Sequence, residues 1–175
     1  NLRASGAPHA TVVLNATGAT YNLNSNSTDA ANKSLTINGG TLHVRAQTMT
    51  FNGSSGNLQL NGGTFRLDSA AVLKLDNDAS LSNAGGNLHI IGDDENPATI
   101  SATAGNYSIT QTSGTIAARY YNIENLQGDG LNISGGTIDA TNNLSDGIFS
   151  KGTGTAYLTL DGLDLGGDIT LKHVT

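Results

Sequence analysis

Residues 35–103 read, in three rows of 23, LTINGGTLHVRAQTMTFNGSSGN, LQLNGGTFRLDSAAVLKLDNDAS and LSNAGGNLHIIGDDENPATISAT. Leu35, Leu58 and Leu81 fall in one column of this alignment, and the double glycines at 39–40, 62–63 and 85–86 fall in another. A fixed period of this length, with apolar residues at alternate positions and a turn signal at a constant offset, is the requirement of a β-solenoid. Each coil of such a stack can bury its apolar side chains only among its own strands and against the coils above and below.

Within a row, alternation sets the strands. Leu35 and Ile37, Leu42 and Val44, Met49 and Phe51 point one way, while Thr36, His43 and Thr50 point the other. That predicts three short strands per coil, with Asn-Gly-Gly turning the corner between the first two, where glycine tolerates a backbone that a Cβ resists. In the second row Leu73 and Leu75 fall one position out of phase, which calls for a bulge or a corner one residue longer. In the third, Asn83 stands where Ile37 and Leu60 stood, so it enters the core hydrogen-bonded or marks an irregularity.

Outward from these rows the period weakens but persists. Residues 12–34 form a degenerate first coil with Ala16-Thr17-Gly18 at the glycine corner, and residues 1–11 read as an extended leader. Residues 92–97 are an inserted loop, after which ITQTSGTIAA at 109–118 aligns with LNISGGTIDA at 131–140 at a spacing of 22. A last apolar set, Leu158 to Leu171, contains Gly166-Gly167. The expected fold is all-β, a single-stranded parallel β-helix over residues 12–175 with six to seven coils of roughly 22–23 residues, a stack on the order of 30 Å tall.

Composition agrees. Apolar residues make up 37% and charged residues 13% of the 175, low values that suit polar strands and turns; with such apolar periodicity they do not indicate disorder. A net charge of −6, with eight scattered Lys and Arg, argues against a nucleic-acid partner. Cysteine is absent, which removes disulfides and thiolate metal sites, and every apolar run is too short for a transmembrane helix.

Chemistry is sparse. Thr20, His43, Arg66 and His89 recur one period apart on the outward side, a polar column that would suit an anionic or polysaccharide ligand; outward positions are polar in any solenoid, and both readings stay open. Asp161, Asp164 and Asp168, with Asp93, Asp94 and Glu95 in the inserted loop, supply the carboxylates that sugar hydrolysis or calcium binding would need. No second catalytic cluster or regular calcium-binding nonapeptide accompanies them. No catalytic residue, cofactor or metal site is therefore expected, and calcium is the weak exception. Thr41, Thr64, Thr115 and Thr137 form a threonine column, and Asn15, Asn38 and Asn61 an amide ladder. Seven Asn-x-Ser/Thr sequons leave glycosylation open.

The stretches LSNAGGNLHI and LNISGGTIDA resemble the haemagglutinin-type and autotransporter-type repeats of bacterial surface adhesins, whose coils read L-x-N-x-G-G-x-L/I-x-A. The likeness spans residues 35–140. It implies a right-handed parallel β-helix, export to the extracellular side or bacterial cell surface, and a structural or adhesive role. The chain departs from it in lacking a secretion cap or translocator segment and in its irregular coils beyond residue 92.

No stretch has a helical period long enough to cap the stack. The residues expected to meet a neighbour are therefore Asn1, Leu2, Val12 and Val13 at one end and Leu158, Leu160, Ile169, Leu171 and Val174 at the other. The neighbour is a second copy stacked head to tail in a filament, or further coils of a longer stalk. The competing expectation is a carbohydrate-binding or carbohydrate-active β-helix using the outer column.

Overall fold

Alternating side chains produce alternating burial. Along Ser34–Ile37, Thr41–Val44 and Thr48–Phe51 every second residue is buried and its neighbours are half-exposed. The structure, a computed structural model, describes residues 11–29, 34–53, 56–163 and 170–175. Its first coil carries β1 (Thr11–Leu14), β2 (Thr20–Leu23) and β3 (Ser27–Asp29). The three segments just named are β4, β5 and β6 of the second coil, and the third has β7 (Asn57–Leu60), β8 (Thr64–Leu67) and β9 (Val72–Leu75). In later coils strand structure runs through the corners. β10 (Ser80–Ile91) spans two faces, β11 (Ala98–Ala102) supplies the third, and β12 (Tyr107–Glu124) covers all three. β13 (Leu126–Ile133) and β14 (Thr137–Ser150) form the sixth coil, and β15 (Leu158–Leu160) opens a seventh.

Every pairing between these strands is parallel, and each links one coil to the next. The chain is thus a single-stranded parallel β-solenoid, as its period predicts. Leu35, Leu58, Leu81, Ile109 and Leu131 stack in one interior column and Met49, Leu73, Ile100, Ile123 and Phe149 in another. Most of these side chains are fully buried, and each such Leu or Ile contributes about 1.5–3 kcal/mol of transfer free energy. The expected leader, residues 1–11, lies outside the described residues except for Thr11, which opens β1.

The double-glycine corner keeps strand spacing through a turn. Asn61 and Gly62 donate to Ile37 O at 3.0 and 3.2 Å, and Thr64 donates to Gly40 O at 2.8 Å, so coil-to-coil hydrogen bonding is unbroken. Gly63 has a φ of +62°, and a Cβ there would stand 2.6 Å from Gly40 O. Asn38 Nδ2 donates to Asn15 Oδ1 at 2.7 Å and Asn61 Nδ2 to Asn38 Oδ1 at 3.0 Å, which is the expected amide ladder.

The two anomalies of the repeat resolve differently. The slip in the second row is absorbed by a longer corner: residues 68–71 replace 45–47, with Ala70 at a φ of +59° and β6 and β9 paired without a bulge. Asn83 enters the core and also breaks the register. It is fully buried beside Gln111, to whose Oε1 its Nδ2 donates at 3.0 Å, while its Oδ1 accepts from Gly86 N at 2.9 Å. Gln111 Nε2 in turn donates to Gly135 O and Thr137 O, each at 3.2 Å, so two amides carry one interior column across three coils.

Candidate functional site

β5, β8 and β10 place His43, Arg66 and His89 side by side on the outward side of the second face. Thr20 does not belong with them. The first coil turns its corner with residues 15–19 where the next uses 38–40, so β2 is displaced by two positions and Thr20 pairs with Thr41. It heads the threonine column, which continues through Thr64, Asn87, Thr115 and Thr137, and Asn22 takes its place beside His43.

Asp68 ties two members of the basic column together. His43 Nε2 lies 2.5 Å from Asp68 Oδ2, and Arg66 Nε donates to Asp68 Oδ1 at 2.6 Å. Burial opposes ionisation of Asp68, but the hydrogen bonds and charges of Arg66 and His43 outweigh it and hold its pKa below the ordinary carboxylate value. Burial, followed by the charge of Arg66, pushes His89 below the ordinary imidazole value against the pull of Asp139 and Asp68. The column ends at Ala117, which is almost fully covered because β14 places residues 139–142 opposite that one position. Asp139 Oδ1 accepts from Thr141 N and Asn142 N at 3.0 and 2.6 Å and holds this bulge. The expected site is thus a column tied to a carboxylate, with Asp68 bonded to both His43 and Arg66.

A second cluster forms where the third face begins, and it was not foreseen. Tyr120, Asp146 and His173 occupy one corner of three successive coils, all with positive φ of 50–55°. Asp146 is the hub: Arg119 Nε donates to its Oδ2 at 2.8 Å, and His173 Nδ1 lies 2.7 Å from its Oδ1. These two partners, His173 foremost, lower the Asp146 pKa. Segment 170–175 docks alongside β14 through backbone hydrogen bonds, with Asp146 N donating to Lys172 O at 2.8 Å and Phe149 N to Thr175 O at 2.8 Å. Arg119, Ser145, Lys172 and Thr141 line an open cleft of about 380 Å³ beside Asp146. Arg119 and Lys172 are 53 positions apart, with the bulge at 139–142 between them, so no period of 22–23 aligns them.

The acidic residues of the inserted loop are exposed, and Asp93 Oδ1 accepts from Asn96 N at 2.7 Å and Glu95 N at 3.1 Å, a carboxylate closing its own turn. Asp161 is exposed; Asp164 and Asp168 lie outside the described residues. Of the residues expected at the ends, Val12 and Leu158 are half-buried, and Val13, Leu160, Leu171 and Val174 are 36–46% exposed. Asn1, Leu2 and Ile169 lie outside the described residues. Among the described residues β1 pairs only with β4, and β15 only with β13.

Comparison with protein-family models, curated proteins and solved structures finds no match to this chain. Its class is accordingly defined by its own geometry, a parallel β-solenoid of six coils and part of a seventh.

Proposed function

We propose that this chain is a structural module of a secreted bacterial surface protein, a rigid rod whose two ends are continued by further coils. The observation that carries this reading is the apolar surface on the end coils. Leu160, Leu171 and Val174 at one end present 36–40% of their surface, and at the other end the half-buried Val12 of β1 packs against the core; β1 and β15 each lack a partner on one side among the described residues. Unpaired parallel strands flanked by exposed core side chains are a template for another coil. That coil comes from a second copy stacked head to tail, or from the same polypeptide in a longer stalk; the chemistry of the contact is the same. The repeat resemblance at residues 35–140 supports the adhesin or fibre setting.

Sedimentation velocity over a concentration series tests the contact. Growth into longer species that is abolished by Leu160→Lys or Val12→Lys is expected, and a concentration-independent monomer would contradict it. Carbohydrate binding on the outer column is the second reading, supported by the half-exposed Arg66 guanidinium beside His43 and His89. Retention of polysaccharides by the wild type but not by a His43/Arg66/His89 triple alanine variant would establish it.

A further inference from the structure

Arg119, Ser145 and Lys172 occupy the same register position on three consecutive coils. Two strand spacings separate the outer members, so their Cα atoms stand roughly 9.6 Å apart, a gap that two long cationic side chains can close on one anion. The middle position is a hydroxyl and not a third cation. Ser145 Oγ is buried and accepts from Lys172 N at 3.0 Å, which leaves its own hydrogen available to donate.

The donors that face the cleft keep capacity to bind. Arg119 engages Asp146 through Nε at 2.8 Å and the Tyr120 side chain through a further hydrogen bond, with its guanidinium 5.0 Å from the Tyr120 ring centre, and its five N–H groups exceed these commitments. Lys172 Nζ has no ion-pair partner among the described residues. Acceptors stand beside these donors: the Asp146 carboxylate and Asn143, whose Nδ2 is committed to Thr170 O at 3.2 Å and whose Oδ1 has no hydrogen-bond partner among the described residues.

This mixture selects a ligand chemistry. A bare inorganic anion would gain from Arg119 and Lys172 but meet the Asp146 carboxylate. A neutral sugar would satisfy Asp146 and Asn143 through its hydroxyls but leave two cations unused. We propose that the cleft binds an acidic sugar, with its carboxylate between Arg119 and Lys172 over Ser145 and its hydroxyls donating to Asp146 and Asn143. The cleft volume of about 380 Å³ lies at the lower end of small-ligand sites, which fits one or two sugar units. The ligand would sit on the outward side of the last coils, next to the stacking end rather than within it.

Titration of the isotope-labelled protein with glucuronate, glucose and inorganic phosphate, followed by amide chemical shifts, tests the assignment. Glucuronate should shift Thr141, Ser145 and Lys172 saturably, with glucose and phosphate each at least tenfold weaker. Lys172→Ala, an exposed position with no described partner to lose, should weaken glucuronate binding about tenfold. Arg119→Lys should weaken it while the Asp146 contact and the fold are retained. Phosphate binding as tightly as glucuronate, glucose binding equally well, or an unchanged affinity in Lys172→Ala would each overturn the proposal. Saturable shifts confined to His43, Arg66 and His89 would do so as well, by moving the ligand to the outer column.

Discussion

At the scale of single residues, three positions give sharp tests of how the stack is held. Gly147 leaves the room that the Tyr121 ring fills; a Cβ at 147 would fall within that ring, whose hydroxyl donates to Leu144 O at 2.9 Å. Gly147→Ala should therefore destabilise the fold by about 1–3 kcal/mol, read as a lower denaturant midpoint. Asn83→Leu restores the apolar pattern of its column yet should also cost about 1–3 kcal/mol, because Gly86 N and the Gln111 carbonyl lose their partner in the interior. Asp68 gives the pH dependence. Its pKa is lower in the folded chain than the ordinary 3.8, so its contribution is complete above that value and is lost as pH falls through the folded value. Melting temperatures measured from pH 7 to pH 2 should fall at the acid end, and Asp68→Asn should flatten that fall while lowering stability at pH 7. The Asn83 alternatives were both visible in the sequence, but Gly147 was not, since nothing in the period says that a tyrosine one coil earlier will fill its place.

At the scale of elements, what the sequence reveals depends on whether corners keep their length. Residues 35–75 repeat at 23 with one slip, and their six strands lie where alternation places them. The first coil turns through 15–19, two residues more than the next, and this moved Thr20 from the basic column to the threonine column. The same effect hid the cleft, because the bulge at 139–142 lengthens the step from Arg119 to Ser145 to 26 residues, and the next step, from Asp146 to His173, is 27. A hydrophobic period reports which residues face the core; it does not report how many residues a solvent-facing corner uses. The energetic consequence is a gradient along the stack. Leu58→Ala, in a position fully buried between two coils, should cost about 2–5 kcal/mol. Leu160→Ala, 40% exposed on the last strand, should cost under about 1 kcal/mol when measured on dilute chains.

At the scale of the whole molecule, the stack is quasi-one-dimensional: each coil is held by its two neighbours, and an end coil has only one. Such a structure is most stable in its middle, and its ends gain the most from any added coil. The outward faces bear little concentrated chemistry apart from the corner cleft, and the strip of His43, Arg66 and His89 is partly neutralised by Asp68. The proposed role as a rod follows from the ends of the stack more than from its sides. Electron microscopy of the purified chain across a concentration series tests that claim most directly. The account predicts straight rods whose lengths are whole multiples of one unit, on the order of 30 Å, with the mean length rising with concentration. Particles of a single unit length at every concentration would contradict it.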